Sequence, residues 1–181
     1  MAVVPTAAML VIGDEILKGH TKDTNSSFAA RILYRLGVKL SRILVISDDK
    51  EQIASEVRAL SSQFTFVVTC GGVGPTHDDV TFEAVAAAFD MPLVRSKEMA
   101  ELVQNFYELD ASTCSQSRKS ALKMAQVPEE HELLYADESN QPRKKLKWSP
   151  CTFPVVKVRN VFVYPGLPIC FEACFQVGKY F

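Results

Sequence analysis

No stretch of the chain approaches the roughly 18 consecutive apolar residues that a membrane-spanning helix needs. Nor does it begin with the basic start and small-residue cleavage pattern of a secretory signal. No membrane partner is expected, and the expected location is cytoplasmic, with a mitochondrial form allowed for. Net charge is almost absent, −1 with a pI of about 6.3, so no overall field draws the protein to nucleic acid or to a lipid surface. Cysteine is sparse and odd in number. Cys70, Cys114, Cys151, Cys170 and Cys174 contain no paired C-x-x-C, which argues against a disulfide framework and leaves reduced thiols as the expectation. Cys170 and Cys174, four apart on an expected helix, supply two ligands where a structural zinc needs four, and they read as core. Two familiar phosphate motifs are also missing: the Gly-Lys-Ser/Thr of a Walker loop and the GxGxxG of a dinucleotide fold. What is present is 48% hydrophobic and 23% charged residues over 181 positions, the profile of a single domain, residues 1–181, large enough to bury its own core.

The stretch that organises the chain runs from Phe66 to Phe82. An apolar β-branched run, Phe66-Val67-Val68-Thr69-Cys70, breaks into Gly71, Gly72 and Gly74; Pro75-Thr76-His77-Asp78-Asp79 follows, and helical apolar spacing then starts at Val80, Ala84, Val85 and Ala88. A strand, a tight glycine loop and a helix start make a natural anion site, because glycine lets a ligand approach the amides and the helix start adds unsatisfied N–H groups. Two adjacent carboxylates there would repel an anion unless a divalent cation sits between them. The loop therefore reads as a phosphate site assisted by a metal at Asp78 and Asp79. The alternative is that one of the pair only caps the helix that follows.

Around this stretch the pattern is strand, helix, strand, helix, strand. Thr6 to Ile12 is a short apolar run, and Gly13-Asp14-Glu15-Ile16-Leu17-Lys18-Gly19-His20 follows it as a polar loop. Asp23-Thr24-Asn25-Ser26 holds cap-forming residues before a helix marked by Phe28, Ile32, Leu33 and Leu36 and stopped by Gly37. Val38 to Ile46 is a strand ending in Ser47-Asp48-Asp49, Ile53, Val57 and Leu60 mark a helix, and Phe64 to Thr69 is the third strand. The order predicts right-handed crossovers and a parallel sheet covered on both faces. Three acidic loops, carrying Asp14 and Glu15, Asp48 and Asp49, and Asp78 and Asp79, should then meet at the carboxyl edge of that sheet, where open α/β folds place ligands.

From Ser96 to Gln126 the spacing stays helical, and Arg118, Lys119 and Lys123 are candidates to meet a phosphate. Residues 128–154 are the least regular, with a basic patch at Arg143-Lys144-Lys145-Leu146-Lys147 read as a mobile surface loop. Val155 to Val158 and Val161 to Tyr164 read as a hairpin turning at Arg159-Asn160. Pro165-Gly166-Leu167-Pro168 enters the last helix, with Gly166 allowing close approach of the backbone to the rim. The chain stops as this helix is completed, which reads as a domain of a longer protein.

Five motifs in order resemble one family: Ile12-Gly13-Asp14-Glu15-Ile16-Leu17 with Gly19, Asp23-Thr24-Asn25, the Gly71 to Thr81 loop, Ala121-Leu122-Lys123-Met124-Ala125, and Pro165-Gly166-Leu167-Pro168. They are similar to the molybdopterin-binding domain family, which includes molybdenum-cofactor biosynthesis proteins, the G domain of gephyrin and the competence-damage-inducible proteins. Within it, Gly19 to Asn25, Gly74 to Ala86 and Val158-Arg159-Asn160-Val161 look like the branch formed by the N-terminal domains of eukaryotic FAD synthases. The resemblance implies a three-layer α/β/α fold with a mostly parallel sheet, often trimeric. It implies catalytic or metal-holding aspartates at Asp48 and Asp79, with Asp78 as a further metal ligand. Substrate and phosphate contacts would fall on Gly71, Gly72, Gly74, Pro75, Thr76 and Thr81, on Gly13, Asp14, Glu15 and Asn25, and on Lys123 and Gly166.

The same resemblance implies metal-assisted hydrolysis of the FAD pyrophosphate to FMN and AMP, supported by magnesium or cobalt and by potassium. FMN adenylyltransferase activity would belong to a C-terminal domain of the parent protein similar to PAPS reductase. A non-catalytic nucleotide- or pterin-binding regulatory module is the alternative, and molybdopterin adenylylation a further one. Against a phosphorylated pterin, the Asn-x-x-Gly-x-x-Pro-Gly loop of pterin-handling relatives is replaced here by Asn140 to Trp148. Late apolar residues, Phe162, Tyr164, Leu167, Ile169, Phe171, Phe175, Tyr180 and Phe181, exceed what one strand and one helix need, which predicts an interface, either a trimer or contact with the synthase domain.

Overall fold

A computed structural model describes residues 3–109, 114–135 and 153–176. Its elements run β1 (Thr6–Ile12), α1 (Asp14–Leu17), α2 (Asn25–Arg35), β2 (Lys39–Ile46), α3 (Lys50–Gln63), β3 (Phe66–Cys70), α4 (Thr81–Ala88) and β4 (Leu93–Arg95). They continue as α5 (Lys97–Phe106), α6 (Ser115–Lys123), β5 (Gln126–Pro128), β6 (Glu132–Leu134), β7 (Val155–Val158), β8 (Val161–Tyr164) and α7 (Pro168–Gln176). A six-stranded sheet has the order β2-β1-β3-β8-β7-β6, and β4 pairs with β5 in a separate ribbon. β2, β1, β3 and β8 are mutually parallel, whereas β7 runs antiparallel to both of its neighbours. This is the mostly parallel three-layer architecture that the sequence implies.

β1 is an interior strand, between β2 and β3, and its side chains from Ala7 to Ile12 are apolar and buried on both faces. Ala8, Leu10 and Ile12 enter one core with Ile53, Val57 and Leu60 of α3 and Ala84, Val85 and Ala88 of α4. Ala7, Met9 and Val11 enter the other with Phe28, Ala29 and Leu33 of α2 and Phe171, Cys174 and Phe175 of α7. Alternation at period two is what divides the strand between the layers. A third, smaller cluster of Met99, Ala100, Leu102 and Ala125 joins α5 to the turn after α6.

Register places the site. Ile12 is level with Ile46, Val11 with Cys70, and Cys70 with Tyr164. Four loops, starting at Gly13, Ser47, Gly71 and Pro165, therefore leave the sheet along one carboxyl edge.

Three expectations need correction. The helical pattern from Ser96 to Gln126 is two helices, because Glu108 takes a left-handed φ of 49° and Leu109 N–H closes on Gln104 O at 2.9 Å, ending α5; Gln126 already lies in β5. The irregular region contains the short strand β6, while Asn140 to Trp148 and the basic patch lie outside the described residues. The late apolar residues are not surplus: Phe162, Tyr164, Phe171 and Phe175 are fully buried in the α2/α7 core, with Phe28 edge-on to Phe171 at 6.5 Å. Only Leu167 and Ile169 of that group are exposed among the described residues; Tyr180 and Phe181 lie outside them. The trimer expectation loses that argument.

Candidate functional site

The carboxyl edge opens into a cleft of about 1220 Å³. Its floor is the Gly71–Asp79 loop. Gly71 has φ 108°, and a Cβ there would stand 2.2 Å from Ile12 O; the Cα of Gly71 in turn lies where a Cβ on Gly166 would come within 3.1 Å. Two backbones thus pass each other at a distance only glycine permits. A Cβ on Gly72, whose φ is 65°, would collide with the Thr81 side chain, whose buried hydroxyl donates to Gly71 O at 2.9 Å, and Thr81 N–H donates to Gly72 O at 3.0 Å. The loop is closed further on by Asp79, whose carboxylate accepts Thr76 N–H at 2.8 Å and also the Thr76 hydroxyl.

Gly72, Val73 and Gly74 line the cleft, and their amides donate to no acceptor among the described residues. Successive unpaired N–H groups beside a cavity, with the start of α4 behind them, are able to receive an anion. The carbonyls are drawn the other way. Lys123 Nζ donates to Asp79 O at 2.7 Å, to Thr76 O at 2.8 Å and to His77 O at 3.4 Å, and stands 3.7 Å from Glu83. The structure therefore places Lys123 under the loop as its clamp, not in the cleft lining.

Asp14, Glu15, Asp48, Asp49, Asp78 and Asp79 all line this one cleft, so the three acidic loops do meet. They are differently engaged. Asp49 caps α3 by accepting Gln52 N–H at 2.7 Å. Asp14 pairs with Lys18 at 2.7 Å, which lowers its pKa, and gives its amide to Asp48 at 2.9 Å. Asp78 pairs with the exposed His77 at 2.8 Å. Burial raises the Asp48 pKa, and the charges of Glu15, Asp14 and Asp79 push the same way against the single Asp14 N–H. Neither Asp78 nor Asp79 caps α4: the capping position is Val80, without a side-chain cap. That alternative fails because Asp79 is turned back onto Thr76.

Gly13, Asn25 and Thr81 also stand behind the cleft. A Cβ on Gly13 would come within 2.7 Å of the Glu15 carboxylate, and Gly13 N–H donates to Ile46 O at 3.1 Å. Asn25 is buried, and its amide donates to Gly166 O at 2.8 Å and to Cys70 Sγ at 3.1 Å. These residues hold the two glycine crossings together. Of the cysteine pair, Cys174 is in the core and Cys170 lines the cleft.

Sequence reasoning missed one wall. Phe106, Tyr107, Met124 and Phe153 also line the cleft. Two aromatics at the end of an apolar helix, just before its break, were the available signal. The Tyr107 pKa is raised by partial burial and by the Asp79 charge, so the wall adjoins the loop.

Residues 8–179 match the family model described as "Probable molybdopterin binding domain". The chain belongs to that molybdopterin-binding family. Among its relatives, the protein named "Probable FAD synthase" in Caenorhabditis elegans is 39% identical over 94% of this chain and 34% of its own length. The chain thus spans about a third of the length of that relative. A CinA-like protein of Myxococcus xanthus is 32% identical over 93% of this chain and 37% of its own length. The crystal structure of CinA from Thermoplasma acidophilum, whose function its description gives as unknown, matches with a TM-score of 0.78 and 28% identity, over 96% of this chain and 95% of that one. The molybdopterin biosynthesis enzyme MoaB of Thermus thermophilus shares the fold alone, at a TM-score of 0.55 and 15% identity over 96% of this chain and 88% of its own. No helix among the described residues of this family member is long and apolar enough to cross a membrane.

The donor set also bears on a metal. Among the described residues no group of three or more His, Cys, Asp or Glu side chains is clustered to hold one. Magnesium, however, is commonly held by one or two carboxylates together with substrate phosphates. Asp48 and Asp79 beside an anion-binding loop fit that mode, and the crowded charge on Asp48 is what a cation relieves.

Proposed function

We propose that this domain binds a dinucleotide through its pyrophosphate and hydrolyses it, with FAD going to FMN and AMP, within a parent protein that makes FAD from FMN and ATP. The observation that carries the reading is the row of unpaired amides at Gly72, Val73 and Gly74, residues that line the same cleft as Asp48 and Asp79. The likeness to FAD synthases supports the choice of dinucleotide.

In this reading the three amides receive the phosphate oxygens, and Lys123 keeps the loop carbonyls turned from the anion. Asp48, fixed by the Asp14 amide, and Asp79, fixed by Thr76, would hold a divalent cation, magnesium or cobalt. A cation bound there would neutralise developing phosphate charge and acidify a water. Water oxygen bonds to one phosphorus as the bridging P–O bond breaks, giving two monophosphates. Trimer formation and contact with a C-terminal synthase domain belong to the same proposal.

One observation favours a second reading, a ligand-binding regulatory module without turnover: Oδ2 of the Asp79 carboxylate is already engaged by the Thr76 amide and hydroxyl. Incubating the domain with FAD and magnesium or cobalt, and separating FMN and AMP by chromatography, distinguishes the two. Hydrolysis that depends on added cation supports the enzyme; FAD binding with no product under either cation supports the module.

A further inference from the structure

Of the aromatic wall of the cleft, only Phe153 packs against one of the buried clusters. Phe106 and Tyr107 belong to none of the three buried clusters, and Tyr107 is 39% exposed. Yet the wall is ordered by its own contacts. The Phe106 ring meets Tyr107 edge-on at 4.9 Å and 80°, and Phe153 at 5.1 Å and 64°. The Tyr107 hydroxyl reaches Met124 Sδ at 3.7 Å. Rings held in place but left facing a cavity present apolar and π surface for a flat molecule to cover.

The wall's placement is tied to the anion loop. Met124, which seats Tyr107, follows Lys123, whose ammonium grips Thr76 O and Asp79 O. One turn of chain therefore carries both the loop clamp and the wall. The cleft's 1220 Å³ is also more than a pyrophosphate fills, and lies above the roughly 300–1,000 Å³ usual for small-ligand sites. Exposed Leu167, on the loop that crosses Gly71, adds a further apolar surface to the same cleft.

We infer that Phe106, Tyr107, Met124 and Phe153 form the subsite for the flat fused heterocycle attached to the pyrophosphate, and so decide which dinucleotides bind. The inference rests on the reading of the cleft as a dinucleotide site. It concerns the ring alone and needs no hydrolysis. Tyr107 supplies a hydroxyl beside the ring edge, and Phe106 a face or edge for stacking.

Riboflavin and adenosine, which carry a ring but no phosphate, are the direct probes. Riboflavin binding is read by quenching of its fluorescence, adenosine binding by calorimetry, and inorganic pyrophosphate binding by calorimetry with the same protein. The expected result is that the wild-type chain binds at least one of the two nucleosides. Phe106→Leu with Tyr107→Leu weakens that binding on the order of tenfold, the usual scale for loss of ring stacking, and leaves pyrophosphate affinity unchanged. Retained pyrophosphate binding shows that the double variant is folded. Tyr107→Phe, which keeps the ring, is expected to bind within about threefold of wild type. The inference is overturned if neither nucleoside binds the wild-type chain, or if the double variant binds as tightly as wild type. A domain that binds riboflavin through this wall but never cleaves FAD would sink the hydrolytic reading and leave the ring subsite standing.

Discussion

The two ends of the cleft are built in opposite ways. The anion loop is braced from four elements: Gly166 after β8, Thr81 of α4, Lys123 of α6 and, through Gly166, Asn25 of α2. Each brace is a hydrogen bond or a backbone crossing with no slack. The aromatic wall rests instead on ring contacts and on a cluster with only four buried residues. Backbone crossings and hydrogen bonds fix a position to tenths of an ångström, whereas apolar contacts of rings and a thioether tolerate repacking. In the proposed reading, the pyrophosphate common to all dinucleotides would meet the rigid end, and the part that differs between them the adaptable one.

The sharpest way to break this contrast is Gly71→Ala. With φ at 108° and a Cβ 2.2 Å from Ile12 O, the substitution is expected to destabilise the fold by about 3 kcal/mol or more and to abolish pyrophosphate binding. Chemical denaturation followed by circular dichroism measures it, and a loss below about 1 kcal/mol would mean that the crossing is not tight. Lys123→Met comes next. It removes three charge-assisted hydrogen bonds to loop carbonyls, for an expected loss of about 2 kcal/mol and a weakening of pyrophosphate binding by roughly tenfold to a hundredfold. If Lys123 instead touched phosphate directly, binding would suffer while the unfolding midpoint stayed in place.

A smaller effect is expected at Asp48. Its folded pKa is raised by burial and by Glu15, Asp14 and Asp79, so the folded state favours the protonated form. That contribution is fully present below the unfolded carboxylate pKa and is lost as pH rises through the folded pKa. Asp48→Asn should therefore leave the thermal midpoint at or above that of wild type at pH 7, with the advantage shrinking as the solution is acidified. A variant less stable than wild type at pH 7 would show that the Asp14 amide bond outweighs the crowding. The smallest effect is chemical. Cys114 is exposed, its thiol pKa lowered by the Gln116 and Ser117 amides, whereas burial pushes Cys70 up to about 12. Mass spectrometry after brief iodoacetamide treatment should find Cys114 alkylated well before Cys70. Equal labelling would mean that the floor beneath the Gly71 loop opens in solution.

What could be read from the sequence follows the same division. β1, the β7–β8 hairpin and the glycine loop were legible because period and turn chemistry act locally: alternating burial, Arg159-Asn160 at the turn, glycines where backbones cross. The meeting of Asp14, Asp48 and Asp79 followed from strand order alone. The position of Lys123 beneath the loop was not legible, since whether a lysine points into the cleft or to the underside of a loop depends on how α6 lies against α4. The break at Glu108, the three-residue strands β4 and β5 and the burial of Phe171 and Phe175 against α2 are likewise tertiary outcomes. They leave too short a pattern to detect, or a pattern that a surface patch would share.

In the proposed function, Asp48 and Asp79, beside the unpaired amides of the glycine loop, serve hydrolysis of a dinucleotide pyrophosphate. The direct measurement is the rate of FMN and AMP formation from FAD by the wild-type domain, Asp48→Asn and Asp79→Asn, each across a titration of magnesium and of cobalt. Cation-dependent turnover is expected in wild type, with a fall on the order of a hundredfold or more in each variant and FAD still bound. Undiminished turnover in both variants would contradict it.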